Sequence, residues 1–158
     1  MKNRNCCYIY LMKKMHITKL LVLVSLVVAS VSSQAQNPEN WTEKQLMQPA
    51  ALANAINAKA DVPMIISVGP GATIPGSVVA GMGSTKEGLD KLKEQLNTLP
   101  KDTKVVIYCG CCPFEHCPNV RPAIEVLKQM QFTNYYLLNL PHNIKQDWID
   151  KGYPVSKS

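Results

Sequence analysis

From Pro63 onward the chain alternates two kinds of apolar pattern. Short continuous runs, PMIISV (63–68), KVVIYC (104–109) and NYYLLNL (134–140), have the length of strands and little polar face. Such runs suit strands buried on both sides of a sheet. Between and after them, apolar residues recur every three or four positions, the period of a helix face. STKEGLDKLKEQLNTL (84–99) aligns Leu89, Leu92, Leu96 and Leu99. Ser84, with Glu87 three residues later, reads as its capping box. PNVRPAIEVLKQMQ (118–131) aligns Val120, Ile124, Leu127 and Met130, with its prolines near the helix start, where they are tolerated. HNIKQDWIDKG (142–152) predicts a short last helix with Gly152 as its cap and Asp147 and Asp150 in its first turns. WTEKQLMQPAALANAINAKA (41–60) reads as helix from a Thr42 cap, with Pro49 dividing or restarting it. GPGATIPGSVVAGMGS (69–84) reads as loop.

Strands alternating with helices predict an α/β domain of three layers, with a mostly parallel central sheet flanked by helices. In such sheets ligands bind beyond the carboxyl ends of the strands. Cys109 stands at one of those ends.

The first 35 residues have a different character. Lys13, Lys14 and Lys19 precede an apolar run, Leu20 to Val31, and Ser33-Gln34-Ala35 fits a cleavage site. The run is shorter than the roughly 20 residues that span a bilayer. The reading is a signal peptide over 1–35, with MKNRNCCYIYL ahead of Met12 as an upstream leader extension. A helical lead-in (36–62) and the main domain (63–158) would follow. This implies an exported, periplasmic or secreted protein without stable membrane insertion after cleavage. Five of the 17 basic residues and none of the 11 acidic ones lie in the leader. The remainder is close to neutral, so the pI of about 9.0 is no argument for a nucleic-acid partner. No basic stripe interleaved with aromatics is present either.

Four of the six cysteines fall within nine residues, in YCGCCPFEHCPNVRPA (108–123). Cysteines so close together close only small loops and add little to stability through chain entropy. They point to chemistry. A cysteine between a buried strand and a helix start is placed to ionise, because unpaired N–H groups and the helix dipole favour a thiolate. Arg121 would add a full positive charge. Cys109 is therefore the candidate nucleophile; the bland alternative is an inert cysteine closing a strand.

An ordered set of segments extends this reading. TIPGS (73–77), KVVIYC (104–109), VRPA (120–123), FTNYYLL (132–138) and WIDKGYPV (148–155) together resemble the rhodanese-like (sulfurtransferase) family over Pro63 to Val155. The resemblance implies a rhodanese-like fold, with Cys109 as the persulfide-bearing cysteine and Arg121 as the arginine closing the active-site loop. It implies a small sulfur donor, a thiol acceptor and no cofactor. The chain departs from the family in its enlarged loop, since eleven residues separate Cys109 from Arg121. It also has Ser67-Val68-Gly69 where the family carries Asp and Arg, and Thr73 where it carries His. Cys111, Cys112 and Cys117 are candidate resolving or redox thiols, with a disulfide from Cys111 or Cys112 to Cys117 as one option. Cys109, Cys112, His116 and Cys117, with Cys111 also available, are alternative zinc or copper ligands. A thiol–disulfide redox protein, a metal-binding module and a non-catalytic binding module thus stand beside the sulfurtransferase.

Overall fold

The structure is a computed structural model that describes residues 41–71 and 73–157. The expected signal peptide and upstream leader, and residues 36–40 of the expected lead-in, lie outside the described residues. Five strands form one sheet: β1 (Leu46–Met47), β2 (Met64–Ser67), β3 (Val78–Val79), β4 (Val105–Tyr108) and β5 (Tyr135–Leu138). Their order is β1-β5-β4-β2-β3, and every neighbouring pair is parallel. Three α-helices connect them: α1 (Pro49–Ala58), α2 (Lys86–Asn97) and α3 (Val120–Gln129).

All of β4 is buried, which is why its sequence shows no polar alternation. Successive side chains point to opposite faces. Val105, Ile107 and Cys109 join Leu92 and Leu96 of α2 and Val120, Ala123, Ile124 and Leu127 of α3 in one core. Val106 and Tyr108 face the other way, into a core with Leu52 and Ala53 of α1 and the fully buried Trp148. These are the three expected layers, and their parity places Cys109 on the α2–α3 side.

Several elements differ from the sequence reading. The helix expected across residues 41–60 is divided, with a 3₁₀ turn, Glu43–Gln45, after the Thr42 cap and α1 restarting at Pro49. Leu46 and Met47 instead pair with Leu137 and Leu138 as the outer strand of the sheet. Trp41–Ser158 accordingly groups as one compact unit. Val78 and Val79, inside the expected loop, pair with Ile66 and Ser67. The cap of α2 is Thr85, one residue later than expected, and its hydroxyl accepts the Gly88 N–H at 3.1 Å. The Ser84 backbone N–H donates to the Asn119 side chain. The last helix is a single π-helical turn, Lys145–Ile149. Gly152 ends it at φ +72°, a conformation that glycine adopts without penalty.

Tyr108 secures the Ile-Pro-Gly segment to the sheet. Its phenol oxygen accepts the Thr73 N–H at 3.1 Å and the Ile74 N–H at 3.5 Å, and lies 3.1 Å from the Ser77 hydroxyl. Replacing it by Phe keeps the ring and leaves these groups without that partner. Tyr108→Phe is expected to cost about 1–3 kcal/mol, read as a lower urea midpoint at unchanged slope. An unchanged midpoint would mean that the segment is held by other contacts.

Candidate functional site

Cys109 directly follows β4 and is 3% exposed. The neighbouring strand β2 ends beside it, and Val68 N donates to Tyr108 O at 2.9 Å across the pair. Gly69 comes next on that side. A Cβ at Gly69 would lie 2.6 Å from the Cys109 Sγ, so the space occupied by the sulfur exists because residue 69 has no side chain. The carboxyl ends of two adjacent parallel strands thus frame a sulfur atom, at the position where such sheets bind ligands.

The loop from Gly110 to Asn119 is tied down along its length. Gly110 O accepts the Ile144 N–H at 3.0 Å, and Phe114 N donates to Leu140 O at 3.2 Å. Phe114 enters the α2–α3 core and starts a short 3₁₀ turn, Phe114–His116. That turn brings Cys117 back into the core at 1% exposure. The Sγ atoms of Cys109, Cys111, Cys112 and Cys117 consequently all lie within 4.8 Å of one another. Cys109 and Cys111 are 3.3 Å apart, and Cys111 and Cys112 are 3.2 Å apart. All four are free thiols in this structure. Exposure is graded through the group: Cys109 and Cys117 are buried, Cys112 is half-buried and Cys111 is exposed.

The environment favours one negative charge, on Cys109. Its pKa is lowered from the ordinary thiol value to about 5. The largest cause is the Cys117 thiol hydrogen-bonded to it. Burial opposes the shift, and the Cys111 N–H, the Asn119 amide and the Cys111 thiol reinforce it. Cys111 moves the other way, to about 12, through burial and its contacts with Cys112 and Cys109. Cys117 is also pushed up, chiefly because its proton is held by Cys109. At neutral pH the group therefore pairs a Cys109 thiolate with protonated Cys111 and Cys117.

Asn119 was not among the residues singled out from sequence. It is 1% exposed and precedes the first residue of α3. Its Nδ2 donates to the Cys109 Sγ at 3.5 Å, and its Oδ1 accepts the Ser84 N–H at 3.0 Å. One signal was available: asparagine is a favoured residue immediately before a helix. Here its side chain makes no capping bond and serves the thiolate instead.

Arg121 lies in the first turn of α3. Its Nη2 donates to Glu115 O at 3.2 Å, and its guanidinium carbon is 5.8 Å from the centre of the Trp41 ring. It therefore braces the outer limb of the loop. His116 is exposed and does not belong to the sulfur group; the fourth member is Cys111. His142 is exposed, and its Nδ1 is 2.9 Å from Asp147 Oδ1. The other Asp147 oxygen accepts the His142 and Asn143 N–H groups, which explains an acid at the start of the last turn.

No protein-family model matches the chain, and no curated protein matches it in sequence. In structure it is similar to a rhodanese-related protein from Thermoplasma volcanium. That pair is 22% identical, with 71% of this chain and 97% of the other covered at a TM-score of 0.47. It is also similar to a protein from Anabaena sp. at 14% identity, covering 70% of this chain and 90% of the other, with a TM-score of 0.51. The topology is the parallel α/β sheet implied by the ordered segments, with the cysteine strand in the middle. The fold shared with the Anabaena protein is this parallel α/β sheet. On this frame the other three thiols, Cys111, Cys112 and Cys117, sit on the loop between β4 and α3.

The Cys109 charge is open to direct measurement. Its alkylation rate, followed by peptide mass mapping, should rise with a midpoint near pH 5 and stay flat through neutrality, because the thiolate is the reacting form. Asn119→Ala removes a donor to the thiolate, so the midpoint should move upward. A wild-type midpoint in the ordinary thiol range, near 8.5, would contradict the arrangement described.

Proposed function

We propose that the protein is a sulfur carrier of the sulfurtransferase type, holding sulfane sulfur as a persulfide on Cys109. The observation that carries this reading is the placement of Cys109. A buried sulfur at the carboxyl end of the central strand has an amide, an N–H and two thiols directed at it. Such preorganised donors stabilise an anionic sulfur, whether thiolate or persulfide.

With thiosulfate as donor, the Cys109 thiolate attacks the outer sulfur. The S–S bond of the donor breaks, sulfite leaves with the bonding electron pair, and Cys109–S–S⁻ remains. An acceptor thiolate then attacks the outer sulfur of the persulfide, takes it over and regenerates the Cys109 thiolate. No net oxidation or reduction of the protein occurs. Cys111, 3.3 Å away, offers a second outcome. Its sulfur attacks the inner sulfur of the persulfide, a Cys109–Cys111 disulfide forms, and the Cys111 proton leaves with the released sulfide as HS⁻. An external dithiol would then be needed to restore the pair. The leader expected over residues 1–35 places this activity outside the cytoplasm in the same reading.

Intact-mass measurement tests both steps. Reduced protein incubated with thiosulfate or polysulfide should gain the mass of one sulfur, and Cys109→Ser should gain none. If Cys111 resolves the persulfide, wild-type protein should pass on to a species two hydrogens lighter than the starting form, while Cys111→Ser keeps its sulfur. Absence of an adduct with every donor would overturn the proposal.

A further inference from the structure

We infer that the four sulfurs of Cys109, Cys111, Cys112 and Cys117 also form a binding site for a single thiophilic d¹⁰ metal ion, Zn(II) or Cu(I). The inference rests on the geometry of the group and holds or fails independently of the persulfide reading.

The spacing comes first. Four thiolates arranged tetrahedrally about zinc, each at about 2.3 Å, lie about 3.8 Å from one another. The observed sulfurs have close contacts of 3.2 and 3.3 Å and a largest separation of 4.8 Å, values on either side of that edge. Small side-chain rotations would bring them onto one ion. An iron–sulfur cluster demands a wider set, because its cysteines bind different irons. The arrangement therefore selects one ion and disfavours a cluster.

Ligand chemistry narrows the choice further. The group contains no carboxylate and no imidazole, since His116 lies outside it. An all-thiolate set suits soft or borderline d¹⁰ ions and is poor for magnesium, calcium or manganese. Four protein ligands would complete a zinc site and leave no open position, as in structural sites. Copper(I) would be satisfied by fewer of the four. Binding involves no change of oxidation state when copper is supplied as Cu(I). Each ligating thiol that carries a proton gives it to solvent.

The surroundings fit a resident ion. The Asn119 amide and the Cys111 N–H point at the Cys109 sulfur, and the Asn119 N–H at that of Cys117. Outer donors of this kind orient thiolate ligands and spread their charge. The backbone behind the site is fixed by the Gly110–Ile144 and Phe114–Leu140 hydrogen bonds. Access is provided on one side, where Cys111 is exposed. An ion held here would occupy Cys109, so metal and sulfane sulfur compete for the same atom.

The test uses the full-length protein, purified without a metal-affinity column, reduced and stripped of metal. Zn(II) is titrated in competition with a chromophoric zinc chelator, and Cu(I) with a Cu(I)-specific chelator under anaerobic conditions. The expected result is one ion per chain from at least one of the two metals, and the arm that saturates identifies it. Bound metal should also protect cysteines 109, 111, 112 and 117 from alkylation. Cys111→Ser and Cys112→Ser, on the accessible side of the group, should each weaken zinc binding by about tenfold or more, a loss of ligand costing at least what loss of an outer partner costs. For copper, the double variant should do so. His116→Ala should bind as wild type. Thermal melts of the metal-free variants check that they are folded, and the His116 variant provides a folded comparison for the sulfur ones. Failure of both metals to compete, more than one ion per chain, or unchanged affinity in the Cys111/Cys112 double variant would overturn the inference. Sulfur loading is measured separately on metal-free protein, so failure there leaves this result intact.

Discussion

The site depends on one buried amide. Asn119 has almost no exposure, and both ends of its side chain must find partners inside the protein, because an unpaired buried polar group is costly. The backbone N–H of Ser84 can only donate, so it takes the Asn119 oxygen. The amide nitrogen is thereby turned toward Cys109. The identity of the partner at one end fixes the polarity presented at the other, and what the sulfur meets is a donor. The same residue joins the end of β4, the entry to α2 and the entry to α3. Gly83 allows this approach, since a side chain there would run into the Asn119 carbonyl. The approach to α2 and one of the donors to the cysteine are therefore tied together through this residue.

Crowding four thiols makes a single thiolate more stable than an isolated one would be. Burial alone would push Cys109 toward its neutral form. Neighbouring S–H groups reverse the outcome because they donate to the anion and, in doing so, retain their own protons. A second ionisation nearby would meet the first charge at close range, which agrees with the upward shifts of Cys111 and Cys117. The enlarged loop has a direct purpose in this account. Its length lets the chain leave the sheet at Cys109, anchor through Phe114 and return Cys117 to the core as the principal donor.

Much of the frame could be read from the sequence, and the exceptions have physical reasons. β2, β4 and β5 appear as uninterrupted apolar runs because both faces of the central sheet are covered. α2 and α3 appear as stripes because each has one solvent face. β1 and β3 are two residues long, too short to carry a period, and exist only through pairing with distant strands. The cysteine cluster was evident as a cluster, and Cys109 as its member at the strand end. The positions of the other side chains depend on how the loop folds. His116 turns outward on the 3₁₀ turn that sends Cys117 inward, a division that local sequence does not reveal. Asn119 and Gly69 matter through a hydrogen bond and a close approach, both made across elements, and both residue types have commoner explanations as a cap and a turn.

The gradient of exposure through the sulfurs bears on how the site exchanges with its surroundings. Cys109 and Cys117 are enclosed by the α2–α3 core, and the exposed sulfur in contact with Cys109 is that of Cys111. Chemistry at Cys109 is thus coupled to a neighbour that solvent reaches first. For the proposed sulfane sulfur, that neighbour would be the thiol that releases it as sulfide. For the proposed metal ion, it would be the outermost ligand, whose detachment would begin dissociation. Both proposed uses would require the Cys111 thiol to move while its backbone N–H continues to support the Cys109 anion. The residue combines these roles because its main chain faces inward and its side chain reaches the surface. The adjacent pair Cys111-Cys112 extends the same principle, with successive side chains spreading the sulfur group from the half-buried to the exposed side of the loop.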